Sequence, residues 1–171
     1  ERLINEAYAM HKTSMAIDIF QANVKNLRIC AMKTDNFVVS IDSLDTYYRA
    51  NMLLLNSANR NDLFNKQRPV YTKVRDDMPA IYGICAGAKN SLVADGCIIK
   101  GTVENSILFR GAYVAEGAVV KNSILMEGVQ IGEGCVVENA ILDKDVVLSA
   151  GQKVIGASVE EPAVLKKGTV L

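Results

Sequence analysis

The sequence predicts a mainly β chain, with a parallel β-solenoid of triangular cross-section over residues 88–171 behind a small α/β segment. Three observations carry this. Aliphatic residues recur in steps of 5, 6 and 6, at Val103, Leu108, Val114, Val120, Leu125, Ile131, Val137, Leu142, Leu148, Val154, Val159, Leu165 and Leu171. Glycines at 117, 134, 151 and 168 keep the same 17-residue cycle, each three residues after Val114, Ile131, Leu148 or Leu165. Asn105, Asn122 and Asn139 mark another position at that spacing. A helix repeats every 3.6 residues and a strand every two. Three steps of about six per cycle describe a coil with three flat sides, stacked on its neighbours.

Taken in order, residues 1–57 have a different texture. Leu3, Ile4, Ala7 and Tyr8 share one helical face, and Ala16, Ile17, Ile19 and Phe20 suggest a second short helix. Leu27–Met32 and Phe37–Ile41 are predicted as strands around the turn-prone Lys33-Thr34-Asp35-Asn36. Asp42 or Ser43 then caps a helix carrying Leu44, Tyr47, Tyr48, Met52 and Leu55. Residues 58–87, with Pro69 and Pro79, are predicted as a linker or cover strand. Asn90 to Val103 is predicted as a shortened first coil.

Inside the solenoid each side needs a second, smaller inward residue to reach protein packing density. The predicted series lies four residues after each ladder position: Ile107, Ala112, Ala118, Ile124, Val129, Cys135, Ile141, Val146, Gln152, Ser158, Ala163 and Thr169. Glycine and asparagine suit the corners, where a left-handed backbone is required.

Half of the residues are apolar and the formal net charge is zero, so charge does not point to nucleic acid or an anionic membrane. No run of 18 apolar residues occurs. The start, Glu1-Arg2-Leu3, has no initiator Met and no signal-peptide pattern, and the chain is expected to begin inside a longer, cytoplasmic protein. Cys30, Cys85, Cys97 and Cys135 form no CxxC pair and are expected to be reduced and mostly buried. Acyl transfer with a histidine as general base, or a zinc site with several His ligands, would require imidazoles near the coils. The only histidine is His11, far from any coil.

Ile131-Gly132-Glu133-Gly134-Cys135-Val136 resembles the hexapeptide repeat of left-handed parallel β-helices, and the left hand is implied by that resemblance alone. The helix Leu44-Asp45-Thr46-Tyr47-Tyr48-Arg49-Ala50-Asn51-Met52, the segment Pro69-Val70-Tyr71-Thr72 and the entry Ser91-Leu92-Val93-Ala94-Asp95-Gly96-Cys97 resemble the C-terminal part of glucose-1-phosphate adenylyltransferase. Val70 to Asp77 looks more like that family's glycogen-biosynthesis regulatory subunit than its catalytic one. The resemblance implies a nucleotidyltransferase-like parent making ADP-glucose and diphosphate from ATP and glucose-1-phosphate. Residues 1–57 would be the tail of its α/β domain, 58–87 the linker and 88–171 the β-helix.

Catalytic members carry a W-x-D-V-G-T stretch before this helix, whose Asp helps bind metal. Here Ser40-Ile41-Asp42-Ser43 stands in its place, so Ser40 replaces the metal Asp unless a two-residue slip brings in Asp42. The resemblance therefore implies a regulatory and oligomerising portion without cofactor or catalytic residues of its own. Mg²⁺ is expected for a full catalytic member. Its partner would be a like chain or the catalytic subunit. A catalytically active parent and a non-catalytic sugar-phosphate binding module remain the alternatives. Arg68, Lys73 and Arg75 are the densest cationic stretch and are candidates for an effector phosphate. Asp76-Asp77 and Asp143-Lys144-Asp145 are read as linker and corner charges.

Overall fold

Strand geometry sends alternate side chains to opposite faces, and this sorts the 17-residue cycle into an inside and an outside. In the computed structural model, which describes residues 1–72 and 74–171, three parallel sheets of five strands each form among the described residues. The first sheet contains Ile81–Tyr82, Ile98–Ile99, Tyr113–Val114, Gln130–Ile131 and Val147–Leu148. The second contains Gly87–Lys89, Thr102–Glu104, Val119–Lys121, Val136–Glu138 and Lys153–Ile155. The third contains Leu92–Val93, Ile107–Leu108, Ile124–Leu125, Ala140–Leu142 and Ala163–Leu165. Solenoid pairing thus begins at Ile81, inside the stretch read as linker.

The interior is the predicted ladder. Val114, Ile131 and Leu148 stack in register, and Val103, Leu108, Val120, Leu125, Val137 and Leu142 fill the other two sides, all at most 1% exposed. Ala112, Ala118, Val129, Cys135 and Val146 take the second inward positions, as expected. The five-residue side differs. Ala140 and Leu142 belong to the prism core, whereas Ile141 and Ile124 form a separate cluster with Tyr48. Leu108, Leu125 and Leu142 point inward, so the residues before them, Ile107, Ile124 and Ile141, must point outward. This corrects the expected inward placement of those three. A corner made with one residue fewer brings the small inward position to three residues after Val103, Val120 and Val137, at Ser106, Ser123 and Ala140. The buried serines are satisfied locally. Ser106 Oγ donates to the Glu104 carbonyl and accepts the Ser123 amide, and Ser123 Oγ accepts the Ala140 amide.

The last coil holds a second correction. Leu165 pairs with Leu142, 23 residues earlier rather than 17, so six extra residues enter between the Lys153–Ile155 and Ala163–Leu165 strands. Val159 lies in that insert and is 39% exposed. Six residues equal one ladder step, which is why the 5-6-6 count runs through the insert undisturbed. Leu165 therefore stacks on Leu142 and not on Leu148. Gly168 is displaced with it: its amide reaches Lys144, placing it in the corner column of Gly128 and Asp145 rather than that of Gly117, Gly134 and Gly151.

The corners carry the strained backbone. Asn90, Asn105, Asn122 and Asn139 have φ of 45°, 47°, 45° and 49°. Asn tolerates this region better than other non-glycine residues, and its amide adds side-chain bonds along the column, from Asn90 to Asn105 (2.7 Å) and Asn122 to Asn139 (3.2 Å). Between Ile99 and Val103 the corner is two residues shorter than between Val114 and Val120, and Gly101 makes this possible. A Cβ there would stand 2.6 Å from the Ala115 carbonyl oxygen.

The outward isoleucines are apolar because a helix covers them. Helix α2 (Leu44–Leu53) is started by a capping box between Ser43 and Thr46. It buries Tyr48 fully against Ile124 and Ile141, flanked by Tyr47, Met52 and Met126. The Tyr48 hydroxyl donates to the Asn122 carbonyl. Burial, with Glu160 nearby, pushes its phenol up to about 12. Helix α3 (Ser57–Leu63) follows within the stretch read as linker. Asn56 caps its start, and Arg60 Nη1 returns to the Leu54 and Leu55 carbonyls at 2.7 and 3.0 Å, closing the end of α2.

The backbone divides into two units, Glu1–Asp35 and Asn36–Leu171. The first consists of helix α1 (Arg2–Ala9), a π-helical turn over Met15–Phe20 and a 3₁₀ turn over Gln21–Asn23. His11 is exposed past the end of α1. The expected strands at Leu27–Met32 and Phe37–Ile41 are not formed; neither segment pairs with a strand among the described residues. No helix among these residues is long and apolar enough to cross a membrane. Cys97 and Cys135 lie in the prism; Cys30 and Cys85 are exposed, so half of the thiols escape the expected burial.

Truncating Ile131 to Ala is expected to cost about 2–5 kcal/mol, while Val159→Ala should stay within about 0.5 kcal/mol. Urea unfolding of both variants measures this. Equal losses would place Val159 in the core and remove the insert.

Candidate functional site

Read along the stacked coils, at a step of 15 and then two of 17 residues, the position before one corner column carries charges of alternating sign. Asp95, Arg110, Glu127 and Lys144 each precede a left-handed corner, at Gly96, Gly111, Gly128 and Asp145. The corner amides bond the carbonyls of the coil before: Gly111 to Asp95, Gly128 to Arg110 and Asp145 to Glu127. This brings side chains far apart in sequence into one column, and neighbours of opposite sign attract rather than repel.

The segment leading into the solenoid ties onto this column. Arg75 Nη1 lies 2.6 Å from Glu127 Oε1, and Arg110 Nε lies 3.7 Å from Asp77 Oδ2. Thr72, Arg75, Ala94, Phe109, Arg110 and Glu127 line a cleft of about 450 Å³ beside these pairs. The Arg75 hydrogen bond, and then its charge, hold the Glu127 carboxyl below the usual glutamate range, with smaller help from Lys144 and Arg110. All four paired side chains are more than a third exposed. Pairs of that kind are screened by solvent and contribute little to stability. Their effect is positional: two arginines are fixed at one mouth.

The structure separates the predicted effector residues. Arg75 stands in the cleft. Arg68 pairs instead with Asp62 at 3.4 Å. Lys73 lies outside the described residues. Arg110, Phe109 and Glu127 complete the cleft and escaped the sequence reading, although the 17-residue charge column would have revealed Arg110 and Glu127. Asp76-Asp77 and Asp143-Lys144-Asp145 do not gather into a catalytic pair. Asp77 meets Arg110, Asp143 accepts the Lys144 amide, and Asp145 forms a corner at φ 59°.

The carboxylates at the start of α2 are engaged within the chain. Asp42 accepts the Thr46 hydroxyl at 3.1 Å, and Asp45 pairs with Arg49 at 3.7 Å. Among the described residues no three His, Cys, Asp or Glu side chains gather as a metal set. An apolar groove of about 510 Å³ runs between Phe37, Val39, Ile41, Tyr47, Leu63 and Phe109. Its exposed aliphatics include Ile41 at 58%.

Residues 81–167 match the family described as GlmU-like, C-terminal hexapeptide. The chain is 43% identical over 91 residues to glycogen biosynthesis protein GlgD of Bacillus subtilis (strain 168), which covers 53% of this chain and 26% of that protein. It is 40% identical over 113 residues to glycogen biosynthesis protein GlgD of Geobacillus stearothermophilus, covering 66% of this chain and 33% of that one. The match thus spans about a quarter to a third of these relatives' length.

Replacing Arg75 with Gln is expected to raise the Glu127 titration toward the ordinary glutamate range, read by carboxyl-carbon NMR. A depressed carboxyl binds its proton later in the folded chain than in the unfolded one. The ion pair's contribution is therefore present above the ordinary glutamate range and lost as pH falls through the lower folded value. An unmoved titration would show that Arg75 does not hold Glu127.

Proposed function

The chain belongs to the GlmU-like C-terminal hexapeptide family, and from that premise we propose that it is the regulatory and oligomerisation portion of a glucose-1-phosphate adenylyltransferase-type subunit acting in glycogen biosynthesis. The observation that carries the reading is the 40% identity over 113 residues to a protein named for glycogen biosynthesis, since that run is longer than the family's 87-residue match to the solenoid. Two features of the chain support a role without chemistry of its own. His11, the one histidine, falls outside residues 81–167, so no coil presents an imidazole base for acyl transfer. The carboxylates at the start of α2 are engaged in capping and in an i,i+4 ion pair rather than in a metal set.

Parallel coils end in open strand edges and flat outer faces, which favour association. The partner is a second copy of the chain or a catalytic adenylyltransferase subunit, in the cytoplasm. An effector with a phosphate group would be met at the cleft by Arg75 and Arg110, with Lys144 close by. Arg68 leaves the proposed set because it is engaged elsewhere.

The test is sedimentation velocity of the chain alone and mixed with a catalytic adenylyltransferase, joined to an assay for ADP-glucose. The expected result is a mass above that of the monomer in at least one case, with no ADP-glucose made by the chain alone. Monomeric mass in both cases, or turnover by the chain itself, would overturn the reading.

A further inference from the structure

The outer face of the second sheet carries a pattern that the core does not require. Register pairs Lys89 with Glu104, Glu104 with Lys121, and Lys121 with Glu138, so one outward column alternates in sign over four coils. Lys89 Nζ lies 3.4 Å from Glu104 Oε1. The parallel column beside it reads Gly87, Thr102, Val119, Val136 and Lys153, and on the fifth strand the charged column ends at the exposed Ile155. Whereas α2 covers the third sheet, Lys89, Thr102 and Lys121 on this face are exposed.

Alternation within a column already avoids repulsion between coils about 4.8 Å apart. It has a second consequence. A column of four alternating charges, turned end over end, presents the opposite sign at every level. A two-fold axis running along the strands, between Thr102–Glu104 and Val119–Lys121, sets the face against its own copy with the coils stacked in opposite directions. Lys89 then faces the partner's Glu138, and Glu104 faces the partner's Lys121. In the second column Thr102 meets the partner's Val119, and Gly87 leaves room for the partner's Val136, while the fifth strand, Lys153–Ile155, extends beyond the partner's Gly87–Lys89. A copy laid on the face with its coils running the same way, about an axis through the charged column, would set Lys on Lys and Glu on Glu; an axis between the columns would leave the charges facing the Gly87-Thr102-Val119-Val136 column.

We infer that the second sheet is a self-recognition face, and that its Lys89-Glu104-Lys121-Glu138 ladder selects the antiparallel pairing of two copies of this chain. The inference rests on the assembly role proposed above and names its surface. Four coils span about 19 Å and the three-residue strands about 10 Å, so the face offers on the order of 200 Å² against the roughly 800 Å² per partner that stable interfaces bury. The contact is therefore weak and steered by charge, and salt weakens it over a screening length of about 8–10 Å.

Charge swaps separate pairing between chains from stacking within one. Lys121→Glu breaks the central cross-chain pair. Adding Glu104→Lys restores it and keeps Lys89 opposite the partner's Glu138, although it creates like-charge neighbours within the column. The swap Lys89→Glu with Glu104→Lys keeps more opposite neighbours within the column but sets like charges across both chain-to-chain pairs. Self-association of the 171-residue chain is measured by sedimentation velocity at low salt and at about 0.5 M salt, with circular dichroism melting to show that each variant folds. The expected order is association in the parent, weakening on the order of tenfold in Lys121→Glu, recovery in Glu104→Lys/Lys121→Glu, and none in Lys89→Glu/Glu104→Lys. Self-association that persists unchanged through all variants would overturn this face while leaving the assembly role standing. A parent chain that is monomeric at low salt, or that binds only a catalytic adenylyltransferase, would overturn self-recognition. No association of any kind would remove the assembly role as well.

Discussion

The narrow prism imposes the constraint on which the other features depend. Each coil must deliver one bulky aliphatic and one small residue to each of its three sides, directly above those of the coil before. Val114, Ile131 and Leu148 meet that demand on one side and Val103, Val120 and Val137 on another. Because stacking fixes the vertical position of every residue, it also fixes what appears outside. The Ile107–Ile124–Ile141 stripe, the Asp95–Arg110–Glu127–Lys144 corner and the Lys89–Glu104–Lys121–Glu138 ladder are all consequences of one repeat. Covering helix, candidate site and proposed self-recognition face are thus placed by the core and not by separate folding events.

Outside the repeat, the second unit is organised by a few specific attachments. Tyr48 seats α2 on the third sheet through complete burial and a hydrogen bond to the Asn122 carbonyl, at a corner whose left-handed backbone is already fixed. Arg60 ties the end of α2 to α3. Arg75 and Asp77 then fasten the entering segment to charges that the corner column holds at hand. The three contacts to the solenoid, through Tyr48, Arg75 and Asp77, join residues 74, 52 and 33 apart, whereas Arg60 acts locally over five and six residues.

The repeat was legible in the sequence because packing in a thin column tolerates little variation, and so were the corner residues and the cap of α2. What escaped did so for physical reasons. Ile107, Ile124 and Ile141 are aliphatic like their inward neighbours, and only the partner helix distinguishes a covered outer face from a core. The insert around Val159 matches one ladder step in length, and counting does not separate a bulged loop from a side. Phe37–Ile41 has strand-like composition, but composition does not supply a partner strand, and the segment pairs with none among the described residues. At the site, Arg75 was visible as part of a cationic stretch. Arg110 and Glu127 were overlooked, because the 17-residue step that joins them shows only when the repeat is applied to charged as well as aliphatic residues. Arg68 looked equivalent to Arg75 until Asp62 engaged it.

The register of the last coil tests this account most directly, since it decides whether stacking or counting governs the column. Backbone nuclear Overhauser contacts across the third sheet can be measured on the isotope-labelled chain. The account predicts contacts linking Ala163–Leu165 to Ala140–Leu142, with residues 157–162 showing none to a neighbouring strand. Contacts linking Leu165 to Leu148 instead would mean an uninterrupted 17-residue cycle, with Val159 inside, and would contradict it.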